Sequence, residues 1–441
     1  MSTLNYDYQD SDVDASPNYA SSGHGTNCAG FIAAEKDNGL CITGVAYKAK
    51  LVGIRLVDET QTDTMEAAAL AHELSAIDIY SNSWGPEDGK GFGGPKEGTE
   101  LTLQNGITNG RGGKGTIYLW ASGNGGEEDN CNADGYVNSI YTIAITGMGY
   151  DGQVAQYAEV CAPALASLYG GGGGGYLIST HTEQSCSQNT LQGTSFSTPL
   201  AAGIVALTLE ANPSLTWRDV QHLIVRTSKK YQLQDSNSNY NWKQNGAGLY
   251  ISHRMGFGML DAEEMVTKAI NWTTVPSQLS CDTGDITVNH VLNAFYYSKS
   301  EFTWTGCDIK YLEHVKVRVT FDATSVGALR IILKSPASTE SYLFTPRADD
   351  DTTDIENAYW DFMSVHFWGE NPNGKWTLVS DMVTNFESGA IRSWSITFYG
   401  TSATNEPYPR TMGSDSGAST ASLSIRVLVI WIVLLTQLVN P

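Results

Sequence analysis

The chain has 441 residues, enough for two or three domains, and its 41% hydrophobic and 17% charged content is that of a globular protein. With 47 acidic against 26 basic side chains its formal net charge is −21, which argues against a nucleic-acid partner, since a phosphate footprint needs clustered Lys and Arg. Such an excess serves solubility, and in a cleft it would also concentrate a cationic ligand.

Residues 1–23 are polar and rich in Asp. From 24 to 274, apolar runs such as Thr116–Ala121 (TIYLWA) and Ser139–Thr146 (SIYTIAIT) alternate with helix-like segments, the clearest over Ser195–Glu210. This alternation predicts an α/β architecture with a parallel sheet. The unbroken glycine run Gly170–Gly175 reads as a flexible surface loop. After about residue 275, β-rich runs at Val315–Phe321, Leu329–Leu333, Lys375–Ser380 and Ser393–Tyr399 are separated by Gly, Asn and Pro turns, which predicts an all-β sandwich over 275–401. Residues 402–424 read as a Ser/Thr/Gly linker. The apolar stretch Ile425–Val439 is short for a spanning helix, and reads as a marginal transmembrane anchor, a lipid-anchor signal or a frayed end, with membrane association the expectation.

Seven cysteines permit three disulfides and one free thiol, and one glycosylation sequon stands at Asn271-Trp272-Thr273. Both favour an oxidising, secretory compartment. The first ten residues, MSTLNYDYQD, have neither a basic start nor an apolar run, so a missing front end is the expectation.

Three segments carry candidate chemistry. Gly23-His24-Gly25-Thr26 places a histidine between glycines at a helix start, where a lone His is more often structural. Gly193-Thr194-Ser195 opens the Ser195–Glu210 helix, where a serine is most often an N-cap. Ser122-Gly123-Asn124-Gly125 follows the TIYLWA strand, where an asparagine is suited to donate to an oxyanion or simply to make a turn.

In this order, and with Ser81–Gly89 (SNSWGPEDG), Ala201–Asn212 (AAGIVALTLEAN), Leu215–Asp219 (LTWRD), Gly256–Ala262 (GFGMLDA) and Asn271–Thr274 (NWTT), the segments resemble the furin/kexin convertases of the subtilisin superfamily from about residue 5 to 401. Leu312–His314, Lys334–Pro336, Trp360–Met363 and Asn373–Trp376 resemble the P domain of that family, a jelly-roll sandwich following the peptidase domain. The resemblance implies a subtilisin-like peptidase domain over 1–274. It implies His24 as general base, Ser195 as nucleophile and Asn124 as oxyanion donor, in calcium-dependent acyl transfer on secretory proproteins after basic residues. It implies a secretory location, in the Golgi or at the cell surface, and a monomer.

The resemblance further assigns Asp88 and Asp134 to the primary pocket, where a substrate guanidinium must be paired, and Asp63 and Glu66 to basic residues further upstream in the substrate. It places Asp88, Asp129 and Glu159 in one calcium site, Asp7, Asp12 and Asp14 in a second, and Asn38 in a third. Surface carboxylates are more simply solvated, and the acidic run Asp349–Asp351 with Asp354 is expected to be so. Implied disulfides are Cys41–Cys186, Cys131–Cys161 and Cys281–Cys307, with Cys28 free, one helical turn after His24.

Two departures stand out. Ser21 and Ser22, and a glycine in the Gly89–Gly94 loop, replace acidic family positions, so strict dibasic specificity is in doubt while a primary preference for Arg or Lys stands. The family's orienting Asp ends an apolar strand several tens of residues before the His. Here only 23 residues precede His24, and none of Asp7, Asp10, Asp12 or Asp14 follows such a strand. An incomplete N-terminus is the expectation, with a natural form lacking the Asp as the alternative. As written, the chain is expected to be nearly inactive, a pseudoprotease that binds basic peptides being the competing function.

Overall fold

The computed structural model describes residues 3–17, 23–57, 61–182, 186–187, 190–230, 235, 237–350 and 354–405. The first part contains strands β1 (Tyr6–Asp7), β2 (Ile54–Arg55), β3 (Ile79–Asn82), β4 (Ile117–Ala121), β5 (Thr142–Met148), β6 (Ala166–Tyr169), β7 (Lys243–Gln244) and β8 (Tyr250–Ile251). Its helices are α1 (His24–Ala33), α2 (Asp63–Leu70), α3 (Glu97–Gly113), α4 (Thr194–Ala211), α5 (Trp217–Thr227) and α6 (Ala262–Ile270).

Strands β3, β4, β5 and β6 lie side by side in chain order, all parallel. Every residue of β4 and of β5 is buried, as expected of strands covered on both faces. Ile117, Leu119, Ile143 and Ile145 pack with Ala201, Val205 and Leu209 of α4. Tyr118, Trp120 and Ala144 point the other way, to Leu70 and Leu103 under α2 and α3. The predicted Thr116–Ala121 strand and Ser195–Glu210 helix form with ends shifted by one residue. The loops leaving the carboxyl ends of β3 and β4 carry Ser83–Asp88 and Ser122–Asp134, the side of a parallel sheet where ligands bind.

The second part is two antiparallel sheets. One has β9 (Leu279–Asp282), β10 (Ile286–Asn293), β17 (Ser388–Thr401), β12 (Tyr311–Ala323) and β15 (Ile355–Ser364); the other orders β11 (Ser298–Trp304), β16 (Gly374–Met382), β13 (Leu329–Lys334) and β14 (Glu340–Phe344). Alternation is strict along β13, whose Leu329, Ile331 and Leu333 are buried, and along β12 from Val315 on, whose Val315, Val317, Val319 and Phe321 meet them in the core.

The two parts share their interiors. Met363, Val365 and Trp368 from the sandwich side enter the core under α4 to α6, and Phe92 and Ala133 from the α/β part enter the sandwich core. Asn132, fully buried, acts as a piece of strand: its amide donates to the Leu343 and Met363 carbonyls and its oxygen accepts from Met363 N–H. Arg218 and His222 of α5 both meet Glu313 of β12, which burial alone would push up but these two partners hold well below the carboxylate range.

All three disulfides form as implied, Cys41–Cys186, Cys131–Cys161 and Cys281–Cys307, leaving Cys28 free. The glycine run is a tight turn rather than a loose loop: Gly171 to Gly174 all have positive φ, and Gly172 and Gly175 bridge across it. The acidic stretch after Arg347 is not uniformly solvated either. Asp350 is buried and ion-paired with Arg347, whereas Asp349 and Asp354 are exposed and Asp351 lies outside the described residues. The tail at 406–441 also lies outside them. Among the described residues no helix is long and apolar enough to cross a membrane.

Candidate active site

Gly193 begins the site. Its φ of 135° is a conformation reserved for glycine, and it turns the chain into α4 with Ser195 in the first helical turn. Four residues on, Pro199 sits inside the helix without an N–H, so the Ser195 carbonyl loses its helical donor. Two side chains replace it: Ser83 Oγ at 2.9 Å, from the loop after β3, and Cys28 Sγ at 3.4 Å, from α1. Burial pushes the Cys28 thiol up to about 12, so it stays protonated and donates. The sequence pattern left Cys28 without a role; Pro199, four residues after Ser195, was the signal that a carbonyl needed a donor.

His24 is the first residue of α1, and its ring packs 5.5 Å from Phe196, the neighbour of Ser195. Although the residue reaches solvent, partial burial lowers its pKa. It is therefore neutral at pH 7 and able to accept a proton. Among the described residues no carboxylate hydrogen-bonds this ring.

Asn124 follows β4. Its Oδ1 accepts from Thr194 N–H at 2.9 Å and Thr194 Oγ1 at 3.2 Å. Both bonds use the oxygen, which leaves the amide Nδ2 as the group offered beside the start of α4. Thr194 is thereby the residue that orients Asn124, a role its place next to a serine did not reveal.

The same loop continues into an acidic cavity lined by Asp88, Asp129, Asp134, Glu159 and, from the sandwich, Arg347. Asp88, Asp129 and Glu159 each offer an oxygen within 4.8 Å of the others. Burial, and then repulsion from Asp129 and Asp88, hold Glu159 well above the carboxylate range. Burial likewise lifts Asp134 to about 7, against the hydrogen bonds it accepts from Tyr136 and Val137 N–H. A Cβ on Gly85 would lie 2.6 Å from Asp134 Oδ2, so glycine makes room for that carboxylate. This crowding of acids, with Asp129 and Glu159 buried and Asp88 at the opening, is what a divalent cation resolves, and three carboxylate oxygens suit calcium.

The other predicted residues are placed differently. Asp63 accepts from Gly98 and Thr99 N–H and from Thr99 Oγ1, capping α3 rather than presenting a free carboxylate. Glu66 accepts from Tyr136 OH at 2.5 Å and from Gln61, behind the stacked rings of Trp120 and Tyr136. Asp7 is buried, pairs with Arg55 at 2.6 Å and accepts from Gln9 and Asp10 N–H. Asp12 and Asp14 accept from backbone two residues on, as does Asn38. Among the described residues only Asp88, Asp129 and Glu159 gather as a potential cation site. Ser21 and Ser22 lie outside the described residues.

A parallel α/β sheet whose strand ends present a serine at a helix start, a neutral histidine on the adjoining helix and an oriented amide defines a serine-hydrolase type of fold and site. The subtilase family model matches residues 2–258 and the proprotein convertase P-domain model residues 312–398. The chain belongs to the subtilase family, with a convertase P domain after the peptidase part.

It is 43% identical over 95% of its length to furin-like protease 1 (isoforms 1/1-X/2) of Drosophila melanogaster, and 43% identical over 95% to proprotein convertase subtilisin/kexin type 6 of Rattus norvegicus. It is 42% identical over 90% of its length to neuroendocrine convertase 2 of Drosophila melanogaster. The matches span 34%, 46% and 62% of those proteins, so the chain covers less than two thirds of each. The serine protease of Aeromonas sobria in complex with its chaperone shares the fold, with a TM-score of 0.78 at 20% identity, over 90% of this chain and 84% of that one.

Proposed function

We propose that the chain carries the machinery of a calcium-dependent serine endopeptidase that cuts secretory proproteins after Arg or Lys. The observation that supports this best is that one loop, 122–134, supplies both the oriented amide beside Ser195 and two acids of the cavity, Asp129 and Asp134. His24 takes the Ser195 proton, and Ser195 attacks the scissile carbonyl. Asn124 Nδ2 and the Ser195 N–H receive the oxyanion, and His24 then protonates the leaving amine. Asp134 and Asp88 receive the substrate guanidinium. Asp88, Asp129 and Glu159 would hold calcium, which when bound supplies the positive charge that keeps these acids ionised.

Orientation of His24 is the step these residues leave open, and lacking a carboxylate partner costs a triad about 10⁴ in kcat. That observation favours a second reading, a chain that binds basic peptides without cutting them. The test is hydrolysis of an Arg-Xaa-Lys-Arg fluorogenic peptide, with and without chelator. Cleavage lost in Ser195→Ala supports the endopeptidase; binding without cleavage leaves the second reading.

Where cleavage is measurable, Asn124→Ala is expected to lower kcat by about 10²–10³ with little change in KM, because its amide bonds the oxyanion only as charge develops. Gly85→Ala is expected to act the other way. By displacing Asp134 it should weaken p-aminobenzamidine about tenfold while leaving the Ser195 side of the site intact; unchanged affinity would remove Asp134 from the pocket.

The reading extends to domain limits at 1–274 and 275–401, a monomer, passage through the Golgi or cell surface, membrane association through the tail and a glycan on Asn271, whose side chain is exposed.

A further inference from the structure

We infer that Arg347 of the sandwich is a positioning residue for the acidic cavity, an inference that rests on the endopeptidase reading. Arg347 is 1% exposed. Its Nη1 meets Asp129 Oδ1 at 3.2 Å, and its Nη2 donates to the Gly91 carbonyl at 2.8 Å and to Asp350. The other oxygen of Asp129 accepts from Gly89 N–H at 2.6 Å. Arg347 thus grips residues 89–91 at both ends, once directly and once through Asp129, and Asp88 is the residue just before this span.

The remainder of the loop is fixed in the same manner. Phe92 inserts into the sandwich, its ring 4.8 Å from Trp360 and 5.3 Å from Phe344, with the Arg347 guanidinium 5.5 Å from it. Gly93 pairs with the Asp134 segment through Gly93 N–H to the Ala133 carbonyl and Gly135 N–H to the Gly93 carbonyl. Residues 89–93, which run from Asp88 to the Asp134 segment, are therefore held against the sandwich, and among the described residues Arg347 is the one charged contact that reaches a cation-site carboxylate from it. Its planar fork spans Asp129, Gly91 and Asp350 together; a lysine has the charge without the fork.

The experiment compares the full chain with Arg347→Lys, which keeps a buried cation opposite Asp350, and with Arg330→Lys, which alters an Arg–Asp381 pair on the same sandwich outside the cavity. Calcium affinity is read by titration calorimetry, pocket affinity by p-aminobenzamidine fluorescence and folding by near-ultraviolet circular dichroism. Both affinities are expected to fall about tenfold in Arg347→Lys, at a native dichroism signal, and to stay unchanged in Arg330→Lys. Equal affinities in Arg347→Lys and the parent overturn the positioning role and leave the endopeptidase reading standing. A parent chain that takes up neither calcium nor p-aminobenzamidine overturns that reading and the role of Arg347 with it. If Arg347→Lys loses its native signal, Asp350→Asn decides, since it loosens the partner that fixes the fork and touches none of Asp88, Asp129 and Glu159: weaker binding of both ligands supports the inference, and unchanged binding overturns it.

Discussion

Calcium is expected to raise the unfolding temperature of this chain at pH 7.5 by several degrees, and Glu159→Gln to abolish most of that gain. Asp88, Asp129 and Glu159 crowd their oxygens within 4.8 Å, and Glu159 is almost fully buried. Without a cation, folding brings these like charges together and takes Asp129 and Glu159 out of water. Asp134 has a folded pKa of about 7, raised by burial, so its ionisation favours the unfolded chain. Its contribution is most favourable below the unfolded value of about 4 and is lost as pH rises towards 7. A bound cation reverses the penalty, and ligand at a hundred times its Kd stabilises by about 2.7 kcal/mol. Calorimetric scans in calcium and in chelator check this. Coincident transitions at pH 7.5 would falsify the cation site, because the crowding would then be relieved some other way.

A second large effect is expected on acidification. With calcium present to keep the cavity acids ionised, stability should fall steeply between pH 6.5 and 5. His253, from the α/β part, and His366, from the sandwich side, meet with ring centroids 4.2 Å apart. His253 Nε2 accepts the Tyr342 N–H at 2.9 Å, and His366 Nδ1 contacts Ser341 Oγ. Burial lowers both, His253 further through His366 and Lys243, and His366 to about 3. His314, packed on Trp368, is lowered to about 4 by burial, against the opposing pull of Glu313.

These rings stay neutral in the fold while the unfolded chain takes up protons near 6.5. Their contribution is complete above that value and is lost as pH falls towards 4 and 3. Roughly 2 kcal/mol each is at stake for His314 and His366 between pH 6.5 and 5. Urea midpoints measured against pH read it out. A parent slope no steeper than that of His366→Asn would remove the pair as the cause. In chelator the slope should flatten, since Asp134, lifted to about 7 by burial, then gains its proton over this range and acts with the opposite sign, and Glu159, also raised by burial, acts in the same direction as Asp134.

Much of this protein is local and so was legible in its residues. Buried parallel strands need continuous apolar runs, and IYLWA and TIAITGM supply them; a sandwich needs alternation, and LRIILK supplies that. Gly193 before Ser195, the histidine between glycines and the asparagine after a strand are short-range patterns with short-range geometry, and the folded chain brings all three to one place. What the sequence could not decide depends on partners far along the chain. Asp63 looked available until Thr99, 36 residues on, proved to be what it caps. The acids after Arg347 looked solvated until Asp350 was found buried with that arginine. Asp7 stood in an acidic run like its neighbours, yet Arg55 draws it out of water. A carboxylate's fate turns on whether a cation, a helix start or water faces it, and only tertiary packing brings those together. By itself the sequence determined the family, the sheet, the sandwich and the acids named for the cavity; the tertiary structure decided that Asp7, Asp63 and Glu66 are taken up by other partners and that the sandwich supplies one wall of the cavity through Arg347.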